Sequence, residues 1–192
     1  MANDPIGPNQ IGNFKSKFDG GTRPNRFVIS GSTPEGDIDS LMIKSGSMPA
    51  QSVGIIQMPF RGRVAKLPGD RIYSEWTFTV IDDAEGATRS KFRKWHAAFN
   101  KHKANTMDPK IIDQMKGQQA GDGEKTFFQE WTVTQLDMTG LEIPNRTIAL
   151  INCWPVEVGA IELSYDVADT VTEFSITLAY DYIKLKEKTG TT

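Results

Sequence analysis

Residues 69–99, GDRIYSEWTFTVIDDAEGATRSKFRKWHAAF, change their hydrophobic period once, and no other feature of the chain restricts its fold as much. Up to residue 80 the apolar side chains alternate. Ile72, Trp76, Phe78 and Val80 lie on one side of an extended chain, with Tyr73, Glu75, Thr77 and Thr79 on the other, the pattern of a half-buried strand. After Asp82 the spacing becomes helical and stacks Thr88, Phe92, Trp95 and Phe99 on one face. Asp82 or Asp83 supplies the helix cap, because a carboxylate there accepts hydrogen bonds from free first-turn N–H groups at the positive end of the helix dipole. A strand therefore runs into a helix with an aromatic face. Trp76, Phe78, Phe92, Trp95 and Phe99 are expected to fasten that helix to a sheet.

At 192 residues and 38% hydrophobic composition the chain is long enough for one compact domain with a substantial core. No apolar run approaches the roughly 20 residues needed to cross a bilayer, and the first residues lack a basic and apolar signal pattern, so a soluble product made in a cytoplasm is expected. Cys153 is the one cysteine and cannot form an internal disulfide. With only His96 and His102 beside it, a Cys/His zinc site is excluded. The net charge of −2 hides a sorted distribution. Residues 86–125 carry nine Lys or Arg against four acids, whereas residues 126–183 carry Arg146 alone against nine acids.

Along the chain, residues 1–23 read as an irregular arm that Phe14 and Phe18 anchor. Residues 24–183 form the main domain, and 184–192 a solvated, flexible tail. Strands are expected at 26–30 and 39–47, joined by the turn-rich GSTPEGD. Residues 54–60 place Ile55, Ile56, Met58 and Phe60 among Gly and Pro, an exposed apolar loop suited to docking on a neighbour. After Pro59 the same stretch reads equally well as a strand over the domain's own core. Residues 103–125 are a polar connection with helical character around 111–115. Further strands follow at 126–138, apolar on both sides, at 146–153 with a break at Trp154-Pro155, and at 161–165. A final strand turns Phe174, Ile176, Leu178, Tyr180 and Tyr182 inward. Seven or eight strands and one helix make a mainly β fold, an antiparallel sandwich or small barrel with the helix packed at its side.

Catalytic signatures are missing from the chain: there is no P-loop, no G-x-G-x-x-G after a strand, no H-E-x-x-H and no G-x-S-x-G. Asp82 with Asp83, and Asp166 with Asp169, read as caps and turns rather than acid–base pairs. His96 reads as a surface residue. No catalytic residue, cofactor site or metal site is expected. Arg89, Arg93, Lys94 and Lys101 project opposite the aromatic stripe, either as a solvated face or as a dock for an acidic partner or phosphates.

Four features, in order, resemble the tail tube proteins of contractile-tailed bacteriophages. They are Arg23-Pro24-Asn25; Gly69-Asp70-Arg71 leading into Trp76-Thr77-Phe78-Thr79-Val80; the helix with Lys91-Phe92 and Trp95; and Trp154-Pro155, Val158-Gly159 and a last strand ending Leu178-Ala179-Tyr180-Asp181-Tyr182. The resemblance spans most of residues 23–183, and 103–125 and 137–147 depart from it. It implies a non-enzymatic virion protein, put together in the bacterial host cytoplasm. Six subunits close their strands into one ring-shaped continuous β-barrel, and rings stack into a hollow tube. The implied partners are further copies of itself, a sheath protein, baseplate and tail-terminator proteins, and a tape-measure protein and DNA transiently in the lumen, with no membrane binding. On this reading Ile55, Ile56, Met58 and Phe60 join stacked rings. Arg89, Arg93, Lys94 and Lys101 face the sheath, and Glu130, Asp137, Glu162 and Asp181 are candidates for a negative lumen. A protein-delivering injection or type VI secretion tube is the alternative, and a monomeric nucleic-acid-binding barrel is a rival of another class.

Overall fold

The period change at Asp82 is a strand-to-helix junction, and the core is built around it. The computed structural model describes residues 10–18, 21–101, 103–121, 124–166 and 168–186. In chain order the elements are α1 (Gln10–Phe18), β1 (Phe27–Thr33), β2 (Gly36–Ile38), a 3-10 turn (Ser40–Met42), β3 (Ile43–Gly46), β4 (Gln51–Phe60) and β5 (Arg63–Tyr73). They continue with β6 (Trp76–Ile81), α2 (Ala87–Phe99), α3 (Pro109–Met115), β7 (Gln129–Leu136), β8 (Glu142–Val158), β9 (Glu173–Ala179) and β10 (Tyr182–Leu185). One antiparallel sheet has the order β2-β1-β7-β8-β9-β6-β3, with β10 added on β8; β4 and β5 form a separate two-stranded sheet. The 17-residue β8 belongs to both halves of the large sheet. Its first part pairs with β7 and β10 and its second with β9. The two halves meet across an aromatic interior, as the mainly β, antiparallel reading requires.

That interior consists of the side chains the period change singles out. Trp76, Phe78, Phe92 and Trp95 are buried, and Phe99 is half-buried at the edge. The Phe92 ring lies 6.2 Å from Phe78, 6.0 Å from Trp131 and 6.4 Å from Phe174, so one helical residue touches both halves of the sheet. Trp76 Nε1 donates to the Ser47 carbonyl at 2.7 Å and Trp95 Nε1 to the Phe127 carbonyl at 2.8 Å. A buried indole N–H left without a partner is costly; these two are paired, whereas that of the equally buried Trp131 has no partner among the described residues. Gly31 is glycine for a steric reason: a Cβ there would stand 2.2 Å from the Trp131 ring. Asp83, not Asp82, caps α2, accepting from the N–H groups of Thr88 at 2.9 Å and Ala87 at 3.1 Å. Those backbone donors hold its carboxyl below the ordinary range.

Several boundaries differ from the sequence reading, each for a physical reason. Ile72 is exposed and belongs to β5, because the chain leaves strand geometry at Ser74 and Glu75 before β6 begins. The 39–47 strand is a 3-10 turn followed by a short β3, since Asp39 accepts from the Leu41 N–H and turns the chain. Trp154-Pro155 does not end a strand. β8 continues through it, and the missing proline N–H falls at a bulge between Pro155 and Glu157. The alternating residues 161–165 pair with nothing and form no strand. The final strand breaks after Ala179; Tyr180 stays buried, while Tyr182 begins β10 and is exposed. Lys184 and Leu185, read as tail, belong to β10. The arm holds the helix α1, whose Phe14 and Phe18 stack on each other at 5.3 Å and stay exposed instead of anchoring in the core. Its residues 1–9 lie outside the described residues, as do 187–192 of the tail.

Cys153 is fully buried and its Sγ donates to the Leu150 carbonyl at 3.4 Å. Burial pushes its thiol up to about 12, so no thiolate forms near neutrality. Two outcomes follow from this core. Phe92→Ala should lose about 3–5 kcal/mol in chemical denaturation, as for other buried aromatic deletions. In the native protein at pH 8, Cys153 should give no reaction with a thiol-specific dye, and one equivalent should react in denaturant.

Candidate assembly surfaces

Among the described residues, eight exposed large apolar side chains lie on the β4–β5 hairpin. It turns at Arg61 (φ 44°) and Gly62 (φ 80°), two successive positive φ angles of the kind that suit tight hairpins. Ile56 pairs with Leu67, Met58 with Ala65 and Phe60 with Arg63 on one face; Ile55 pairs with Pro68 and Pro59 with Val64 on the other. None of its residues is buried. Ile55, Ile56, Met58 and Phe60 are 62%, 52%, 52% and 67% exposed. The stretch is thus a strand of a hairpin and not a loop, yet its apolar side chains are free as the docking reading requires. Val64 and Leu67, on β5, complete the patch and were not singled out. They lie on opposite faces of the strand, Leu67 across from Ile56 and Val64 across from Pro59, so period-2 alternation gives no signal that groups them. A lone two-stranded hairpin is marginal in water.

The basic residues of the helix divide. Arg93 and Lys94 are exposed on α2. Arg89 turns back, donating from Nη2 to the Gly159 carbonyl at 3.2 Å and lying 5.9 Å from the Phe174 ring. Lys101 is exposed but lies beyond the end of α2. The four candidate lumen acids also separate. Glu130, on β7, pairs with Lys186 at 2.8 Å. Asp181 accepts from Asn152 at 2.7 Å between β9 and β10. Asp137 holds a turn, accepting from the N–H groups of Thr139 at 2.7 Å and Leu141 at 3.0 Å, and those hydrogen bonds, with the Thr139 hydroxyl first, keep its carboxyl low. Glu162 is exposed in the 159–172 connection.

Besides a cavity of about 420 Å³ along its side among Arg89, Arg93 and Lys94, α2 has one at each end. One, of about 740 Å³, lies under its C-terminal end between Phe99, Met107, Met115, Phe128 and Trp154. The other, of about 930 Å³, lies beyond its N-terminal end between residues 82–89 and the 159–172 connection. Among the described residues no three His, Cys, Asp or Glu side chains converge as metal ligands.

An antiparallel aromatic sandwich carrying a side helix and an unsupported apolar hairpin belongs to the class of self-assembling β subunits. The phage tail tube protein family model matches residues 16–186, and the chain belongs to that family. It is similar to the tail tube protein gp19 of Enterobacteria phage T4, 26% identical over 160 residues that cover 83% of this chain and 89% of that protein. Its fold is similar to a chain of the PVC extracellular contractile injection system sheath–tube complex in the extended state. There the TM-score is 0.54 at 14% identity, with 90% of this chain and 97% of that one covered. A chain of the six-fold symmetrised anti-feeding prophage baseplate matches with a TM-score of 0.52 at 11% identity, over 86% of this chain and 95% of that one.

Proposed function

We propose that this chain is a structural, non-enzymatic subunit whose copies close into hexameric rings that stack into the hollow inner tube of a contractile phage tail. The tube is the conduit for DNA ejection. The observation that carries this reading is the hairpin. Eight apolar side chains, Val53, Ile55, Ile56, Met58, Phe60, Val64, Leu67 and Ile72, stand exposed on two strands that rest on no other sheet. Exposure on that scale marks an interaction surface, and in a tube the neighbouring ring supplies the missing partner. The open edges of β2 and β3 then gain partners within the ring.

The remaining partners in this reading are a sheath around the tube, baseplate and terminator proteins at its ends, and a tape-measure protein and DNA in its lumen. Assembly takes place in the host cytoplasm. Arg93 and Lys94, on the face of α2 away from the core, meet acidic groups of the sheath, with Lys101 nearby. Acids among Glu130, Asp137, Glu162 and Asp181 repel DNA from the wall without specific contacts. Glu130 contributes least, since Lys186 neutralises it. A protein-delivering injection tube is the second reading, supported by the sheath–tube fold match. DNA in purified particles favours the tail, and its replacement by protein cargo favours the injection system.

Ile56→Asp, Met58→Asp and Phe60→Asp together should leave the melting temperature almost unchanged, because the three side chains are already exposed. Electron microscopy should then show rings without tubes. Tubes of ordinary length would overturn the stacking role. Arg93→Glu with Lys94→Glu should give normal bare tubes on which sheath no longer assembles, measured by co-assembly with sheath protein; fully sheathed tails would return both residues to plain solvation.

A further inference from the structure

The hairpin and the larger cavity lie at opposite ends of β6. Trp76, its first residue, adjoins the hairpin root; Ile81, its last, leads into Asp82, six residues and about 20 Å further on. At that far end, Asp82, Asp83, Glu85 and Arg89 form one wall of the cavity and Ile161, Leu163 and Val171 the other. Leu163 and Val171 are largely exposed. The Asp82 N–H donates to the Thr172 carbonyl at 2.9 Å, which fixes that residue at the rim; its Oδ1 is buried and, like the buried Arg89 Nε of the same wall, has no hydrogen-bond partner among the described residues. Arg89, the one cation in the wall, is directed at the Gly159 carbonyl and the Phe174 ring. The cavity is therefore acidic on one side and aliphatic on the other.

The hairpin tip has the opposite character. Phe60 and Val64 are exposed beside Arg61, Arg63 and Lys66, no acid occurs between Gln51 and Gly69, and the Arg61 guanidinium lies 5.4 Å from the Phe60 ring. We infer that the cleft between residues 82–89 and the 159–172 connection receives the hairpin tip of a second copy stacked head to tail. This rests on the stacking reading above and names the surface that completes it. A head-to-tail contact joins two unlike patches on opposite ends of one subunit, and these two are unlike, complementary in charge and on opposite ends. An arriving arginine meets the exposed Glu85 carboxylate at the cavity wall, and Phe60 meets Leu163 and Val171. The unpaired alternation of residues 161–165 then has a use: Ile161 packs against the subunit's own core, while the exposed Leu163 and Tyr165 are offered to a neighbour.

The test uses the full chain with Arg63→Cys and Leu163→Cys, since buried Cys153 does not react in the native state. Assembled tubes treated with a short bis-maleimide should give a ladder of covalent multimers on a denaturing gel, and each single variant should stay monomeric. Intact tubes without a ladder, or an equal ladder from Arg63→Cys paired with Lys116→Cys, overturn the inference and leave stacking itself standing. Failure of the unmodified protein to form tubes overturns both. Should the cysteine pair not assemble, charge exchange decides. Arg61→Glu with Arg63→Glu should give rings alone, and adding Glu85→Arg should restore tubes; rings that remain unstacked in the triple variant overturn the inference.

Discussion

Phe92 is the contact on which the rest of the subunit depends. Its ring sits where both halves of the bent sheet and the side helix converge, against Phe78, Trp131 and Phe174. Such aromatic pairs are each worth about 0.5–1.5 kcal/mol beyond the area they bury, and four meet at this one residue, these three to the sheet and one to Trp95 on the same helix. Because the contacts are directional, they set the rotation of α2 about its axis as well as its position. Rotating the helix would withdraw Phe92 and Trp95 together and orphan the indole N–H that now reaches the Phe127 carbonyl. The outward direction of Arg93 and Lys94 is thus a consequence of core packing. A surface presented this rigidly loses little freedom on meeting a partner.

The hairpin poses the reverse problem. Its first strand has an apolar run like that of a core strand, yet none of its residues is buried by its own chain, and a free pair of strands is marginal alone. Its backbone order within one subunit rests on its own ladder, on the tight turn at Arg61-Gly62, and on the root, where Tyr73 packs 5.7 Å from Tyr180. Folding and assembly therefore draw on different surfaces. The aromatic interior stabilises the subunit whether or not neighbours are present, whereas in the proposed stacking burial of the hairpin stabilises only the polymer.

This division also explains what the sequence revealed and what it concealed. The aromatic stripe of α2 and the alternation of β6 were legible because both halves of each pattern are satisfied inside one chain. Phe92, Trp95, Trp76 and Phe78 are buried where the periodicity puts them. The hairpin was half legible. Apolar residues at Ile55, Ile56, Met58 and Phe60 signalled a surface, but periodicity cannot separate a strand covering its own core from one awaiting another molecule. Residues 161–165 misled for the same reason, having the alternation of a strand and no partner within the subunit. Pro155 misled through a local rule, since the penalty for a proline in a strand vanishes where a bulge has already removed the hydrogen bond. The candidate acids were the least legible. Which way an outward carboxylate points, and whether Lys186 or Asn152 occupies it, depends on strand register that sequence alternation does not contain.

The placement of the hairpin at one end of β6 and of the acidic, aliphatic cleft at the other gives the subunit a direction. A self-complementary patch would pair two subunits and stop, because each contact consumes both copies of the surface. Unlike patches on opposite ends leave one of each kind free after every addition, so growth continues along the axis while lateral closure fixes the number of subunits around it. The element that connects the two patches is the buried strand β6, which runs on into Asp83 and α2. The same six residues that hold part of the aromatic core together thus set the distance between the two proposed stacking surfaces, and a core that resists compression keeps that distance the same in every subunit. In a tube of many layers, small differences in that spacing would accumulate. A dense aromatic interior beneath an uncovered hairpin is the arrangement that keeps each layer rigid and leaves the contact between layers to form only on assembly.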